Sequence, residues 1–183
     1  MGGLQKNMIP EIINNFHLYH GGGTDGKEGE RFLGVSGEIT LPELNAMTET
    51  ISGSGILGEM EVGNPGHFSA IDMEIPFIGM SCDMLTFSPT EYNTFTLRMT
   101  QQSTVKDTRG KDYTRMKIVV GGTMKSLKLG TVKIGGQMGS SVTLSVTYIK
   151  ISVGNDTLVE LDKLSEIYIV NGKDQLAKIR DYS

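Results

Sequence analysis

Alternating apolar and polar residues dominate the chain, in runs suited to strands. The run Thr94-Phe95-Thr96-Leu97-Arg98-Met99-Thr100 is the cleanest and predicts a strand with one buried face. Comparable patterning predicts strands over residues 31–35, 38–51, 67–76, 113–120 and 124–134, and an alternation over 14–19 leads into a glycine-rich loop. Pro42 forces a bulge or an edge position on the 38–51 strand. Gly121-Gly122 reads as a turn or kink. Val142, Leu144, Val146 and Tyr148 hold one parity, whereas Ile149, Ile151 and Val153 hold the other. A period of two cannot change phase without an extra residue or a change of buried face, so a bulge or sheet crossover is expected near Tyr148. Apolar residues at Phe77, Ile78, Met80, Met84 and Leu85 approximate the helical period and predict the one short internal helix over 77–85.

The end of the chain predicts a strand, a tight turn at Gly154-Asn155-Asp156, a second strand, a short third strand, an Asn171-Gly172 turn and a brief helical tail. The expected architecture is mainly β, a barrel or sandwich with one short internal helix and long extended loops. No repeat or linker divides residues 1–183, so a single domain is expected. Residues 1–12 read as an N-terminal arm, because Gly2-Gly3 and Pro10 resist regular structure, and 172–183 as a C-terminal tail. The segment 52–66 is punctuated throughout by glycine, and an irregular loop of that length in a compact domain is usually functional or disordered.

Composition agrees with this picture. The 24 glycines against 5 prolines suit hairpins and bulges, and 11 methionines without tryptophan suit a soft core or interface. Cys82 is the single cysteine, so no intrachain disulfide can form and a reducing compartment is the simpler reading. Neither a membrane-length apolar run nor a secretory leader pattern is present, so synthesis and retention in a cytoplasm are expected. Net charge is −4, unevenly spread. Residues 25–83 hold 11 acids against 2 bases, a balance of −9, while residues 106–133 hold 8 bases against 2 acids, a balance of +6. Such polarity fits either head-to-tail contact between copies or solvated faces scattered round the fold.

Motifs of chemistry fail on their context. Gly53-Ser54-Gly55-Ile56-Leu57-Gly58 satisfies the dinucleotide pattern, but Gly63, Pro65 and Gly66 leave no room for the helix that must follow. Gly21 to Lys27 has phosphate-loop spacing, but Glu28 stands where a serine or threonine would hold magnesium, so a hairpin tip is expected. His17 and His20 face opposite sides of a strand, and His67 has no sequence neighbours able to ligate; surface or turn histidines are expected, with no metal. Cys82 reads as a small core residue on an apolar helix. No nucleophile motif or paired carboxylates support catalysis, so neither an enzyme nor a cofactor is expected. The basic stretch has Tyr113 as its only aromatic, which disfavours base stacking and leaves a subunit contact, a solvated face or a phosphate-binding face.

Four segments together resemble one family. I-P-E-I-I-N-N-F-H-L-Y-H-G-G lies near the start, G-E-I-T-L-P-E-L spans 37–44, and M-T-E-T-I-S-G-S-G-I-L-G-E-M-E-V follows. Y-I-K-I, L-V-E-L-D and V-N-G-K-D-Q-L close the chain. These resemble the major tail tube proteins of contractile phage tails, including the tubes of phage-tail-like bacteriocins; residues 86–139 are only loosely similar. The resemblance implies a structural subunit with an Hcp-like barrel, forming hexameric rings that stack into a hollow conduit for DNA in a phage or for ions in a bacteriocin. It implies as partners further copies of itself, a tail sheath protein, a tape measure protein in the lumen, and baseplate and tail terminator proteins, with only transient DNA passage and no stable membrane association. The particle would be a virion tail or released bacteriocin assembled in the host cytoplasm. Within it, the loop 52–66 becomes the inter-ring contact through Gly53, Gly55, Ile56, Leu57, Gly58, Met60 and Val62. Glu49, Glu61 and Asp72 become candidate lumen acids, repelling phosphate. An Hcp-like secretion tube protein and a monomeric β-barrel binding module are the alternatives, though the scarcity of aromatics argues against sugar stacking.

Overall fold

The computed structural model of the chain describes residues 7–21, 29–85 and 87–182. In chain order its elements are β1 (Met8–His20), β2 (Glu30–Arg31), β3 (Ala46–Ser52), β4 (Glu59–Phe68), β5 (Ile71–Phe77), α1 (Cys82–Leu85), β6 (Tyr92–Val105), β7 (Lys111–Lys128), β8 (Ser140–Val153), β9 (Asp156–Asp162), β10 (Ile167–Val170), β11 (Lys173–Asp174) and α2 (Ala177–Tyr182). One antiparallel sheet runs β11-β10-β9-β8-β7-β6-β1-β2. β5 pairs with the first half of β8, on the edge that β9 occupies along the second half.

The sheet curls until it meets itself. The Phe32 amide donates to the Leu18 carbonyl at 2.9 Å, Ser36 to Pro76 at 2.9 Å, and Ile78 to Gly34 at 2.8 Å. Val35 and Phe77 form a β-bridge between the last two contacts. Residues 32–36 thus stitch β1 to β5 and close a barrel with little edge left over its central length. Its interior takes alternate side chains from every wall strand, as the two-residue period requires: Leu18 of β1, Phe95 and Leu97 of β6, Ile118 and Val120 of β7, and Ile71, Met73, Ile75 and Phe77 of β5. The outer face is not wholly wet, since Thr96 and Val119, paired across β6 and β7, are both 1% exposed.

The phase change in β8 is a bulge. Gly121 pairs with Tyr148 but Gly122 pairs with Val146, so Thr147 is the extra residue. Val142, Leu144 and Val146 before it and Ile149 after it therefore all point into one core. Gly121-Gly122 is neither turn nor break, because β7 runs straight through both. These glycines serve close approach: a Cβ on Gly122 would lie 2.1 Å from the Ser145 carbonyl oxygen, and one on Gly121 would lie 2.2 Å from the Tyr92 hydroxyl.

Several expected boundaries move. The helix over 77–85 shrinks to α1, because Phe77 ends β5 as its fourth inward side chain. Residues 36–45, with Pro42, form an extended connector outside any strand, packing Ile39 and Leu44 on the core. The 67–76 strand breaks at Ser69-Ala70, and the 31–35 segment is regular strand only at Arg31, with an isolated bridge at Val35. The 124–134 strand stops at Lys128. Part of the expected arm, Met8 to Ile12, belongs to strand β1. The C-terminal elements stand as expected, and Asn171 and Gly172 both adopt positive φ, as a type I′ turn requires. The loop from Gly21 to Lys27 lies almost wholly outside the described residues.

Replacing Gly122 by alanine is expected to destabilise the fold by about 1–3 kcal/mol, read as a lower midpoint of urea unfolding, since the new methyl meets backbone that cannot rotate away. Gly37→Ala, where nothing lies within 4 Å, should leave the midpoint nearly unchanged.

Candidate assembly surface

The segment expected as a loop over 52–66 is largely a β-hairpin. β3 and β4 pair from Thr48–Gly63 out to Ser52–Glu59, forming a separate two-stranded sheet that stands off the barrel. Residues 53–58 make the turn, with the Ile56 amide on the Gly53 carbonyl at 3.1 Å. Gly55 and Gly58 adopt φ of +93° and +102°, backbone that side chains resist. Leu57 projects fully exposed at the tip, and Ile56 is half-buried.

Register sorts this hairpin into two faces. Glu49 lies opposite Val62 and Ile51 opposite Met60, so these four and Met47 share one side. Thr48, Thr50, Ser52, Glu59 and Glu61 share the other. Every residue of β3 is exposed, as is β4 from Glu59 to Pro65, so the apolar face has no cover among the described residues. Two isolated strands are marginal in water, and this pair exposes the side chains that would normally stabilise it.

Its root, by contrast, is clamped. Residues 64–67 bulge out of the ladder between Thr48–Gly63 and Ala46–Phe68. At Gly66, with φ of +77°, a Cβ would fall 2.8 Å from the Leu176 side chain, just ahead of α2. The Lys163 ammonium donates to the Phe68 and Ser69 carbonyls at 3.3 and 2.7 Å, and the Phe68 and Tyr168 rings meet edge to face at 5.1 Å. A cleft of about 470 Å³ lies here, with His67 and Arg180 in its wall. The C-terminal elements thus fix the direction in which the hairpin leaves.

A second projection extends past the barrel where β1, β6 and β7 run on together. Two bulges, at Glu11 and at Asn14, bend β1. Both bulged side chains reach β6. Asn14 donates to Gln102 at 3.1 Å, while the Glu11 carboxylate accepts from Gln102 at 2.8 Å, from Lys111 of β7 at 2.6 and 2.7 Å, and from the Thr104 hydroxyl. The Lys111 bond foremost, then Thr104 and Gln102, holds the Glu11 carboxyl down at about 2. Ile9, Ile12 and Ile13 are exposed here, and among the described residues no strand pairs the outer edge of β1 before Tyr19.

The expected lumen acids do not form one cluster. Glu49 and Glu61 lie on opposite faces of the hairpin, and Asp72 lies on β5, where it takes an ion pair from Lys125. Neighbouring Glu74 accepts from Ser141 at 2.6 Å and pairs with Lys128 at 3.0 Å, which holds its carboxyl below the usual range. Part of the acidic excess thus meets part of the basic excess inside one chain. Cys82 is exposed, not core. His17 meets Arg31 at 2.9 Å, whereas His20 turns inward to Asn93 at 3.0 Å among Phe32, Phe87 and Phe95, so the surface expectation fails for His20. No cluster of metal-ligating side chains occurs among the described residues, and none of their helices is long and apolar enough to cross a membrane.

Residues 10–182 match the family model of the phage tail tube protein FII. The chain belongs to that family. It is 26% identical over 154 residues to the tail tube protein of Escherichia phage P2, covering 83% of this chain and 88% of that protein. It is 24% identical over 166 residues to the major tail tube protein of Serratia phage KSP20, covering 91% of each. Its fold is similar to that of a sheath/tube terminator of the extracellular contractile injection system PVC, solved by cryo-EM in the extended state. That likeness has a TM-score of 0.53 at 11% identity, covering 79% of this chain and 97% of the other. As a member of that family it is a structural subunit of a tail tube.

Because the Glu11 carboxyl is lowered on folding from 4.5 to about 2, its contribution is complete above pH 4.5 and fades as pH falls through 2. Hydrogen-exchange protection of the first half of β1 is expected to fall across that window relative to barrel amides. In Glu11→Gln that difference should be lower throughout and flat with pH. Matching profiles for the two proteins would mean that the network does not hold the strands together.

Proposed function

We propose that six copies of this tail tube protein form a ring and that rings stack into the hollow inner tube of a contractile tail. One observation carries the reading: the hairpin β3–β4 holds Met47, Ile51, Met60 and Val62 on an exposed face that none of the described residues covers. Apolar side chains ordered on a projecting element mark a contact with another molecule. Stacking supplies that contact, with Gly53, Gly55, Ile56, Leu57 and Gly58 forming the tip that enters the adjoining ring. The open edge of β1 suits the sheet-to-sheet joining that closes a ring, since pairing with a neighbour satisfies backbone groups that an isolated subunit leaves to water.

With the apolar face buried, the opposite face of the hairpin turns to the lumen and presents Glu59 and Glu61. Carboxylates on that wall repel the phosphates of passing DNA and keep the conduit from binding its cargo. Glu49 belongs to the contact face and Asp72 is neutralised by Lys125, so Glu61 is the strongest of the three candidate lumen acids. In a phage the lumen passes DNA past a tape measure protein; in a bacteriocin the same tube passes ions. A sheath outside and baseplate and terminator proteins at the ends complete the assembly, which forms in the host cytoplasm.

Negative-stain electron microscopy of concentrated protein, with solution mass, tests the reading. Wild type is expected to give six-fold rings or hollow tubes. Ile51→Asp with Val62→Asp should keep the circular dichroism of wild type, because both positions are solvent-facing, yet reduce tube mass at least tenfold. Tubes of normal length from that variant would remove the hairpin from the contact.

A further inference from the structure

We infer that the hairpin of one copy docks on residues 129–139 of the next, a second apolar projection rooted at the opposite end of β5. This inference rests on the reading of the hairpin as a contact between stacked rings and names the surface that receives it.

Residues 129–139 form a small finger between β7 and β8. The Thr131 amide donates to the Met138 carbonyl at 2.7 Å, the Gly136 amide closes a turn on Lys133 at 3.1 Å, and Met138 ties the finger to the Ile78 carbonyl at 3.1 Å. Gly130, Gly135 and Gly139 all adopt positive φ, so the bends are built into the backbone. The side chains face the wrong way for a monomer. Val132 is 88% exposed, Ile134 is fully exposed, and Leu129 and Ile78 are about half exposed at the root. Water-facing valine and isoleucine on an ordered turn are costly unless something covers them.

A second copy of this chain fits that description on two independent grounds. The first is placement. The hairpin is rooted just before Ile71 and the finger against residues after Phe77, at opposite ends of β5, about 20 Å apart along the strand. Two different patches at opposite ends of a molecule make a head-to-tail contact, and a contact of that kind leaves a fresh patch free at each end and propagates. A self-complementary patch would stop at two copies. The second ground is chemistry. The hairpin, residues 46–68, contains three glutamates and no lysine or arginine, and Glu49 sits within its apolar face beside Ile51 and Val62. The finger contains Lys133 and no acid, and Lys133 stands between Val132 and Ile134. No ion pair engages Lys133 among the described residues, whereas Lys125 and Lys128 at the base of the finger already hold Asp72 and Glu74. Each surface is thus an apolar patch with one charge inside it, and the charges are opposite. Apolar contact supplies affinity, and the Glu49–Lys133 pair sets register.

The test is site-specific photo-cross-linking with benzoylphenylalanine at Ile134 or, separately, at Leu57. An equal mixture of ¹⁵N-labelled and unlabelled protein distinguishes links between copies from links within one. The Ile134 probe is expected to join residues 46–62 of a second copy, and the Leu57 probe to join the finger or the 78–80 turn of a second copy. Lys133→Glu should cut the Ile134 yield at least fivefold, and combination with Glu49→Lys should restore it. If the Leu57 probe links copies but reaches some other surface, the finger is not the receiver and the stacking role of the hairpin stands. If neither probe links two copies, both readings fail. Ile134 and Leu57 are fully exposed, so a folding defect is not expected, and circular dichroism checks this directly.

Discussion

β5 packs Ile71, Met73, Ile75 and Phe77 into the barrel, each at 2% exposure or less, while its backbone hydrogen bonds to β8 on one side and to the 34–36 segment on the other. Without it the sheet would remain an open, curled surface with an apolar concave face. Barrel closure is the constraint on which the remaining geometry depends. It fixes the inner face of β8, and that in turn demands the extra residue at Thr147 so that two apolar sets of opposite parity share one core. It also turns β5 into a spacer between the hairpin at its start and the finger beyond its end.

A closed barrel has little reason to associate. This one reopens the matter on purpose: β1, β6 and β7 overrun it with an edge that no described strand pairs, and two glycine-shaped projections carry apolar residues into water. Long exposed edges and apolar fingers are aggregation hazards in a monomer. In the stacked-ring assembly proposed above, neighbouring copies cover them. Surface charge is arranged with the same economy. Lys111, Lys125 and Lys128 are held by Glu11, Asp72 and Glu74, pairs exposed enough to add little stability each, though they order the strands that carry them.

The clamped root adds a mechanical element. The Gly66–Leu176 contact, Lys163 on two carbonyls and the Phe68–Tyr168 ring pair tie the hairpin to the C-terminal elements. A contact arm whose base is fixed loses less freedom when it docks than a free loop would. The V-N-G and K-D-Q-L residues, which looked like a mere terminus, belong to this clamp through β10, β11 and Leu176.

By itself the sequence determined the class of fold, the family, the β8 phase change and the closing turns. Each of these rests on local signals: two-residue periodicity, glycine at positive φ, and short motifs. It misjudged 52–66 as irregular, because glycines that shape a hairpin tip and a root bulge resemble those of a loop until pairing partners are known. It read 124–134 as strand because Leu127, Leu129, Val132 and Ile134 look apolar enough to be buried. Whether an apolar residue faces a core or a neighbour is a property of its surroundings and not of its type. Likewise Glu49 and Glu61 are two acids in one segment until the register puts them on opposite faces, and no local signal links Glu11 to Lys111, a hundred residues away. Tertiary structure alone decided these, because register and closure are agreements between distant strands, written in no single stretch of the chain.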